Sequence, residues 1–433
     1  MCAQSLPTQP YKGTRDFYPD DMRLRNWFFG KIRSSLELAA FEEYNGPMLE
    51  SLELYAAKSG EEIATKQTYN FTDRAERRLA IRPEMTPTVA RMVAAKIGEL
   101  NFPLKWFSIP NMYRYENPQR GRLREFWQLN VDIFGCPTFE ADLEVISTAV
   151  MLLKALGADK SMFRVHINNR RFFNDVIAAI AGTDAEGSRK VSKVVDRKNK
   201  IPREEYVKEL TELGLNEAQI GKIDALYTMS VEEATALCPD SQGSAELLNL
   251  FRELEACGLA GYCVFDFGII RGLDYYTGTV FEVFDEAPEN NRAMFGGGRY
   301  DNLVGLFVKN TNISGVGFGF GDVTLENFLV THNLIPDIYN EGTKVLVARF
   351  NDVPYEKYMA LTDALRAAGV PASLYLGEKK FGKQIDYAVK GAYSHVAILG
   401  GDEAARGVVK IKNLRTREET EVQNGELAAY FNA

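Results

Sequence analysis

From Trp127 to Ile133 apolar and polar residues alternate without interruption. Side chains along a strand point alternately to opposite faces, so Trp127, Leu129, Val131 and Ile133 share one face while Gln128, Asn130 and Asp132 share the other. Arg114 and Glu116 alternate with Tyr113 and Tyr115 in the same way. The span Trp106 to Phe134 therefore reads as two antiparallel strands around a polar, glycine-containing loop, Asn117 to Gly121. One face of such a sheet is buried and the other is polar. The simplest reading of the polar face is the solvated surface of an antiparallel sheet, and the alternation alone favours it.

At 433 residues the chain exceeds what one core usually organises, so two or three domains are expected. Apolar residues at Leu24, Trp27, Phe28, Ile32, Leu36 and Ala39 have helical spacing between Asp20 and Phe41, with Asp20 and Asp21 placed to cap. Thr86-Pro87 reads as an N-cap followed by proline in the first helical position, launching a helix to about Lys96. Arg82 to Thr86 is then a loop at a helix N-terminus. From about Arg171 to Cys257 the periodicity is helical and charge-rich, the pattern of an inserted helical subdomain. Strand signals return at Tyr262 to Phe267 and Thr279 to Phe284, followed by glycine-dense stretches at Phe295 to Asp301 and Gly315 to Gly321. Past Asn340-Glu341-Gly342, strands at Val345 to Phe350, Ala372 to Gly377 and His395 to Gly400 alternate with helices, and a hairpin from Val408 through Val422 completes an α/β unit. The expected organisation is a core of residues 1–170 and 258–335, a helical insertion at 171–257 and a terminal domain at 342–433.

Composition excludes several classes. No apolar run approaches the length of a membrane helix, and Met1 to Pro10 lacks the charge and apolar segment of a secretory leader, so a soluble, cytoplasmic protein is expected. The five cysteines are scattered without C-x-x-C spacing, and the three histidines are far apart, which argues against a zinc site, a disulfide framework or a histidine triad. These cysteines read as reduced, mostly buried thiols. A net charge of -8 argues against a protein coated in nucleic acid but permits local basic patches. The densest runs from Arg189 to Arg203, as either a solvated helical face or a nucleic-acid contact. The glycines of Gly315 to Gly321 invite a dinucleotide reading, but the run looks like a strand feeding a helix at a domain end and lacks the βαβ setting that reading needs. Gly296 to Gly298 is explained equally by a tight turn or close packing.

Several polar sets occur together and in order: Arg82-Pro83-Glu84-Met85-Thr86, Tyr113-Arg114-Tyr115-Glu116, Gln128 with Asp132, and Arg271-Gly272-Leu273-Asp274-Tyr275-Tyr276-Thr277. At these residues the sequence closely resembles histidyl-tRNA synthetases. The first helix and Pro47 are similar to class II motif 1, and Tyr113 to Asp132 to motif 2. Arg271 to Thr277 and Gly297 to Asp301 are similar to the two histidine-family signatures. The resemblance implies an α+β fold: a six- or seven-stranded antiparallel catalytic sheet flanked by helices, with a helical insertion and a C-terminal α/β domain of the anticodon-binding type. It implies a homodimer, ATP with Mg2+ (no metal-binding residue being assigned), L-histidine, and histidine tRNA as acceptor. It places Arg114 and Arg271 as catalytic cations on the α-phosphate and, with Glu116, as ATP-binding residues. It places Glu84, Met85, Thr86, Arg114, Gln128, Asp132, Arg271, Tyr275 and Tyr276 around histidine, Glu84 at the ammonium, Gln128 at the carboxyl group, and Asp132 with Tyr276 at the imidazole.

One departure stands out. Class II motif 3 normally carries an arginine shortly after its glycines, stacking on adenine, whereas here Thr324 occupies the approximate place. Adenine is then held differently, or another cation such as Arg299 reaches in. A catalytically silent histidine-binding regulatory paralogue, or a tRNA-sensing module, shares the fold and is the alternative to an enzyme. Such proteins lack the Arg271-type signature, the anticodon-type domain or intact catalytic residues.

Overall fold

The computed structural model describes residues 6–56, 67–198, 201–270, 276–290, 292–309, 311–338, 342–377 and 379–432; Arg271 and Tyr275 lie outside them. The chain forms two compact units, Met1–Ile335 and Pro336–Ala433.

The first unit is built on a nine-stranded sheet. Its strands are β1 (Glu42–Glu43), β5 (Leu104–Ser108), β6 (Asn111–Tyr113), β7 (Glu125–Phe134), β8 (Phe163–Asn169), β9 (Cys263–Phe265), β10 (Thr279–Asp285), β11 (Ala293–Arg299) and β12 (Gly315–Gly321). A separate three-stranded sheet holds β2 (Leu49–Ser51), β3 (Asn70–Thr72) and β4 (Arg78–Ile81). The order β5-β7-β12-β11-β10-β8 is antiparallel throughout, and the short β1 and β9 add parallel edges. The antiparallel centre matches the expected sheet; the parallel edges were not foreseen, because β1 and β9 are too short to carry an alternation signal.

One face of this sheet is apolar. Val131, Val316, Phe318, Phe281, Val283, Val165 and Ile167 are all buried, and three helices cover the strands. They are α4 (Phe139–Ala155), α10 (Gln242–Ala256) and α11 (Asp322–Thr331). Phe295 stacks on Phe320 at 3.9 Å between centroids, and Phe318 packs against Phe281 and Phe295. Each such buried aromatic contributes roughly 2–3 kcal/mol, so this face anchors the sheet.

Helix α1 (Pro19–Leu38) buries Leu24, Phe28, Phe29, Ile32 and Leu36, and the Asp21 carboxylate accepts the Tyr18 N–H at 2.8 Å. Helix α5 (Arg170–Ala181) opens the helical stretch and α10 ends it. The Asn169 side chain caps α5, accepting from Arg171 and Phe172 N–H groups. Because α10 packs on β8 and α4 as well as on α5, these helices belong to the same compact unit as the sheet.

The second unit has strand order β14-β13-β15-β16-β17, with β13 (Val345–Val347), β14 (Ala372–Leu374) and β15 (His395–Ile398) parallel and β16 (Val408–Asn413) with β17 (Glu419–Gln423) antiparallel. Helices α12 (Tyr355–Ala367) and α13 (Phe381–Lys390) are the crossovers. This is the α/β pattern read from the sequence, with trimmed strand ends.

Candidate active site

The polar face of β7 is not solvated. Asn130 and Asp132 are 3% and 2% exposed. The register explains how a polar face can be enclosed yet open to a small molecule: Gly317 lies opposite Asp132, Gly319 opposite Asn130, and Gly298 of β11 opposite Gly317. A Cβ at Gly317 would sit 2.5 Å from an Asp132 carboxylate oxygen, and one at Gly319 would sit 2.2 Å from Gln128 Nε2. The glycines thus form a floor across which the β7 side chains lie, while Val316, Phe318 and Phe320 point into the core.

Aromatic hydroxyls enclose Asp132. Tyr300 donates to its Oδ1 and Tyr44 to its Oδ2. Burial pushes the Asp132 carboxyl up to about 7, against the pull of those two hydroxyls. The Tyr276 ring lies over Gly298, where a Cβ would approach it to 3.0 Å. Its hydroxyl is pushed well above the usual range by burial, and then by the charges of Glu84, Asp132 and Glu282. Three carboxylates therefore converge on one phenol. A carboxyl poised near neutrality beside a phenol is well matched to a ring N–H of an imidazole, which titrates in the same range.

The loop Arg82–Thr86 supplies another wall. Helix α3 (Thr86–Ala95) follows it, with Met85 rather than Thr86 as N-cap; Met85 already has αR backbone angles, which moves the helix start back one residue. Pro87 sits in the first turn, where a missing N–H leaves no bond unmade. Glu84 is 3% exposed beside this N-terminus, where the helix dipole favours a carboxylate. Met85 is fully buried and packs beneath Gly46, so it supports the loop. Thr86 is half-buried. Arg82 is structural: it donates to Asn111 and Gly46 carbonyls at 2.8 Å.

Arg114 follows β6. Its Nε donates to the Pro83 carbonyl at 2.8 Å, its guanidinium lies 5.3 Å over the Phe126 ring, and no carboxylate among the described residues pairs with it. Glu116 pairs with Arg122 at 3.1 Å, and Gln128 donates to Asn130 at 2.7 Å. The loop between the strands is a tight hairpin, with Gln119 and Arg122 exchanging backbone hydrogen bonds and Gly121 at φ +76°. A cleft of about 950 Å³ opens beneath its tip, with Arg120, Arg122, Arg292 and Thr324 on its walls.

Two expectations are corrected here. Arg299 does not reach a nucleotide: its side chain is 4% exposed, paired with Asp142 and bonded to the Cys136 and Thr138 carbonyls. The basic run is largely neutralised within the helices, since Lys190 pairs with Glu186, Lys198 and Arg203 with Asp224, and Arg197 with Glu209. Of the cysteines, only Cys263 is buried among those described. Sequence reasoning also missed a strap. The Gly13 carbonyl accepts the Arg124 and Glu125 N–H groups, and Arg15 pairs at 2.7 Å with the buried Asp322 that opens α11. No local pattern signals a contact spanning some three hundred residues.

Residues 13–322 match the family model of histidyl-tRNA synthetase, and residues 344–433 match that of an anticodon binding domain. A histidine–tRNA ligase of Leptospira biflexa is 44% identical over 421 residues, covering 97% of this chain and 96% of its own. One from Opitutus terrae is 38% identical over 434 residues, with 98% and 97% covered. The crystal structure of histidyl-tRNA synthetase from Nostoc sp. PCC 7120 shares the fold, with a TM-score of 0.82 at 24% identity over 99% of both chains. With its family model spanning most of the first unit and relatives 38–44% identical over nearly the whole chain, this chain belongs to the histidyl-tRNA synthetase family.

Proposed function

We propose that the chain activates L-histidine with ATP to histidyl-adenylate and transfers the histidine to the 3′ end of its tRNA, releasing pyrophosphate and then AMP. The observation that carries this reading is the enclosed Asp132, raised to about 7 and held by the Tyr300 and Tyr44 hydroxyls, on the strand that follows the Arg114 hairpin. Histidine binds with a ring N–H on the Asp132 carboxylate, its ammonium toward Glu84 and its carboxylate toward Gln128 and Arg114. An apolar analogue of similar size leaves Asp132 buried and unpaired, a penalty on the order of ten-thousand-fold in such sites.

Activation brings two anions together, the histidine carboxylate and the α-phosphate. Arg114 and Arg271 neutralise them and align an in-line displacement, for which a planar, permanently charged guanidinium is suited. The attacking carboxylate oxygen forms the bond to phosphorus as the bond to pyrophosphate breaks. In the second step a ribose hydroxyl of the tRNA attacks the activated carbonyl and AMP leaves. Glu282 and Asp266 line the cleft, and among the described residues no cluster of three ligands could hold an ion alone. These carboxylates would hold Mg2+ together with phosphate oxygens and water, and the ion would supply neutralising charge to the pyrophosphate.

The second unit, matching an anticodon-binding domain, is the part that recognises the tRNA anticodon, with Lys379, Lys380 and Arg417 exposed on its surface, while Lys383, Lys410 and Lys412 pair with Asp386, Glu403 and Glu419. The molecule works as a homodimer through α1 and the strands after it, where Leu38 is 90% exposed and Met48 and Leu49 are also exposed. Its place is the cytoplasm; among the described residues no helix is long and apolar enough to cross a membrane. The test is charging of histidine tRNA with radiolabelled histidine. Acid-precipitable product that depends on ATP supports the reading, and a folded protein that binds histidine but yields none overturns it in favour of a silent regulatory paralogue.

A further inference from the structure

The cleft beneath the hairpin is lined by three arginines, Arg120, Arg122 and Arg292, and by three carboxylates, Asp266, Glu282 and Glu289, and the arginines differ in how they are paired. Arg122 is neutralised by Glu116. Arg120 donates only to the Asn290 side-chain oxygen, at 3.1 Å, and has no carboxylate partner among the described residues. Asn290 is itself fixed, donating to Asp285 at 2.6 Å and to Thr331 at 3.1 Å, while the buried Asp285 is held by His332 at 2.7 Å. Arg292, exposed at the entry to β11, makes no hydrogen bond or ion pair among the described residues, yet lines the same cleft. Two guanidiniums in this cleft thus lack a carboxylate partner among the described residues and keep their donors for phosphate oxygens.

Thr324 explains why the second of them is needed. Its hydroxyl turns back to the Met294 and Gly321 carbonyls at 2.8 and 3.0 Å. It offers the hairpin only a methyl group, 3.5 Å from where a Cβ at Gly121 would be. Position 324 therefore brings no charge to the cleft, and the carbonyl it holds belongs to the residue two beyond Arg292.

We infer that Arg292, in a cleft to which position 324 brings no charge, binds the triphosphate tail of ATP together with the Asn290-anchored Arg120. This rests on the ATP-dependent activation proposed above. A guanidinium meets phosphate oxygens bidentately, whereas an ammonium supplies the same charge at one point. Arg292→Lys is accordingly expected to keep much of the function that Arg292→Ala loses.

The test is histidine-dependent ATP–pyrophosphate exchange with the full chain. Arg292→Ala is expected to raise KM for ATP about tenfold, a loss of ~1.4 kcal/mol, and to leave KM for histidine and the melting temperature unchanged. Thr324→Arg added to Arg292→Ala is expected to restore most of the ATP affinity. Inorganic tripolyphosphate should compete with ATP and lose affinity in Arg292→Ala by the same factor, while adenosine keeps its own. An unchanged KM for ATP, a parallel rise in both KM values, or a loss confined to adenosine overturns the inference. If the wild type itself shows no exchange, the activation reading falls and takes this inference with it; exchange in the wild type with a silent Arg292→Ala overturns the inference alone.

Discussion

Replacing Asp132 by asparagine keeps the shape of a fully buried side chain and removes its charge, so it separates what this carboxylate does for histidine from what it does to the fold. The Asp132 carboxyl is raised from 3.8 to about 7 by burial. A raised pKa means the fold prefers the protonated acid. Between about pH 4 and 7 the unfolded chain gives up this proton first, so stability falls as pH rises through that window and the deficit is constant above it. Three pH units at ~1.4 kcal/mol each give a burden of about 4 kcal/mol at pH 8. Asp132→Asn is relieved of it, so its unfolding midpoint should exceed that of the wild type by several degrees at pH 8, at ~2 °C per kcal/mol, and the gap should close towards pH 4. The same variant should bind histidine ~10–100-fold more weakly, since a charge-assisted hydrogen bond of about 1.5–3 kcal/mol is lost. Thermal unfolding of both proteins from pH 4 to 8.5, with histidine titrations at each pH, measures both effects. Parallel stability profiles, or undiminished histidine affinity, would refute the reasoning.

Other perturbations act on separate parts of the site. Arg114→Ala should lower kcat/KM for exchange by ~10²–10³-fold with an unchanged melting temperature, because no carboxylate is left unpaired; steady-state kinetics with thermal melts decide it. Asp142→Asn should destabilise by ~3–5 kcal/mol, since it removes the nearer counter-charge of the buried Arg299 and leaves only Asp301 at 3.5 Å; denaturant titration reads this, and a merely nucleotide-specific defect would contradict the structural role assigned to Arg299. Gly317→Ala places a methyl group 2.3 Å from the Val131 carbonyl and 2.5 Å from the Asp132 carboxylate, so it should lower the melting temperature and abolish histidine binding in the protein that still folds; thermal melts with equilibrium dialysis of histidine check it.

The elements that could be read from the sequence are those whose signal is local. The β7 alternation gave its faces, Thr86-Pro87 a helix start correct to one residue, and the spacing after Val345 an α/β unit. The polar β7 face could not be placed by alternation alone, because whether it meets water depends on β12 and β11, which pair with it from far along the chain. The glycines of those strands read ambiguously for the same reason: their spacing acquires meaning only when the register sets Gly317 against Asp132. Arg299 looked free because its partner Asp142 is more than 150 residues away. The basic run stayed open between a solvated helical face and a nucleic-acid contact because Asp224 and Glu209, which pair with Lys198, Arg203 and Arg197, follow later in the sequence. The assignments of Arg271 and Tyr275 came from family resemblance and lie outside the described residues.

The most direct measurement is ATP–pyrophosphate exchange with each of the standard amino acids offered singly, for the wild type and Arg271→Ala. Exchange with histidine alone, severely slowed by the substitution, is the expected result. No exchange from a folded, histidine-binding protein, or exchange with a different amino acid, would contradict the assignment of Asp132 and its neighbours as a histidine-activating site.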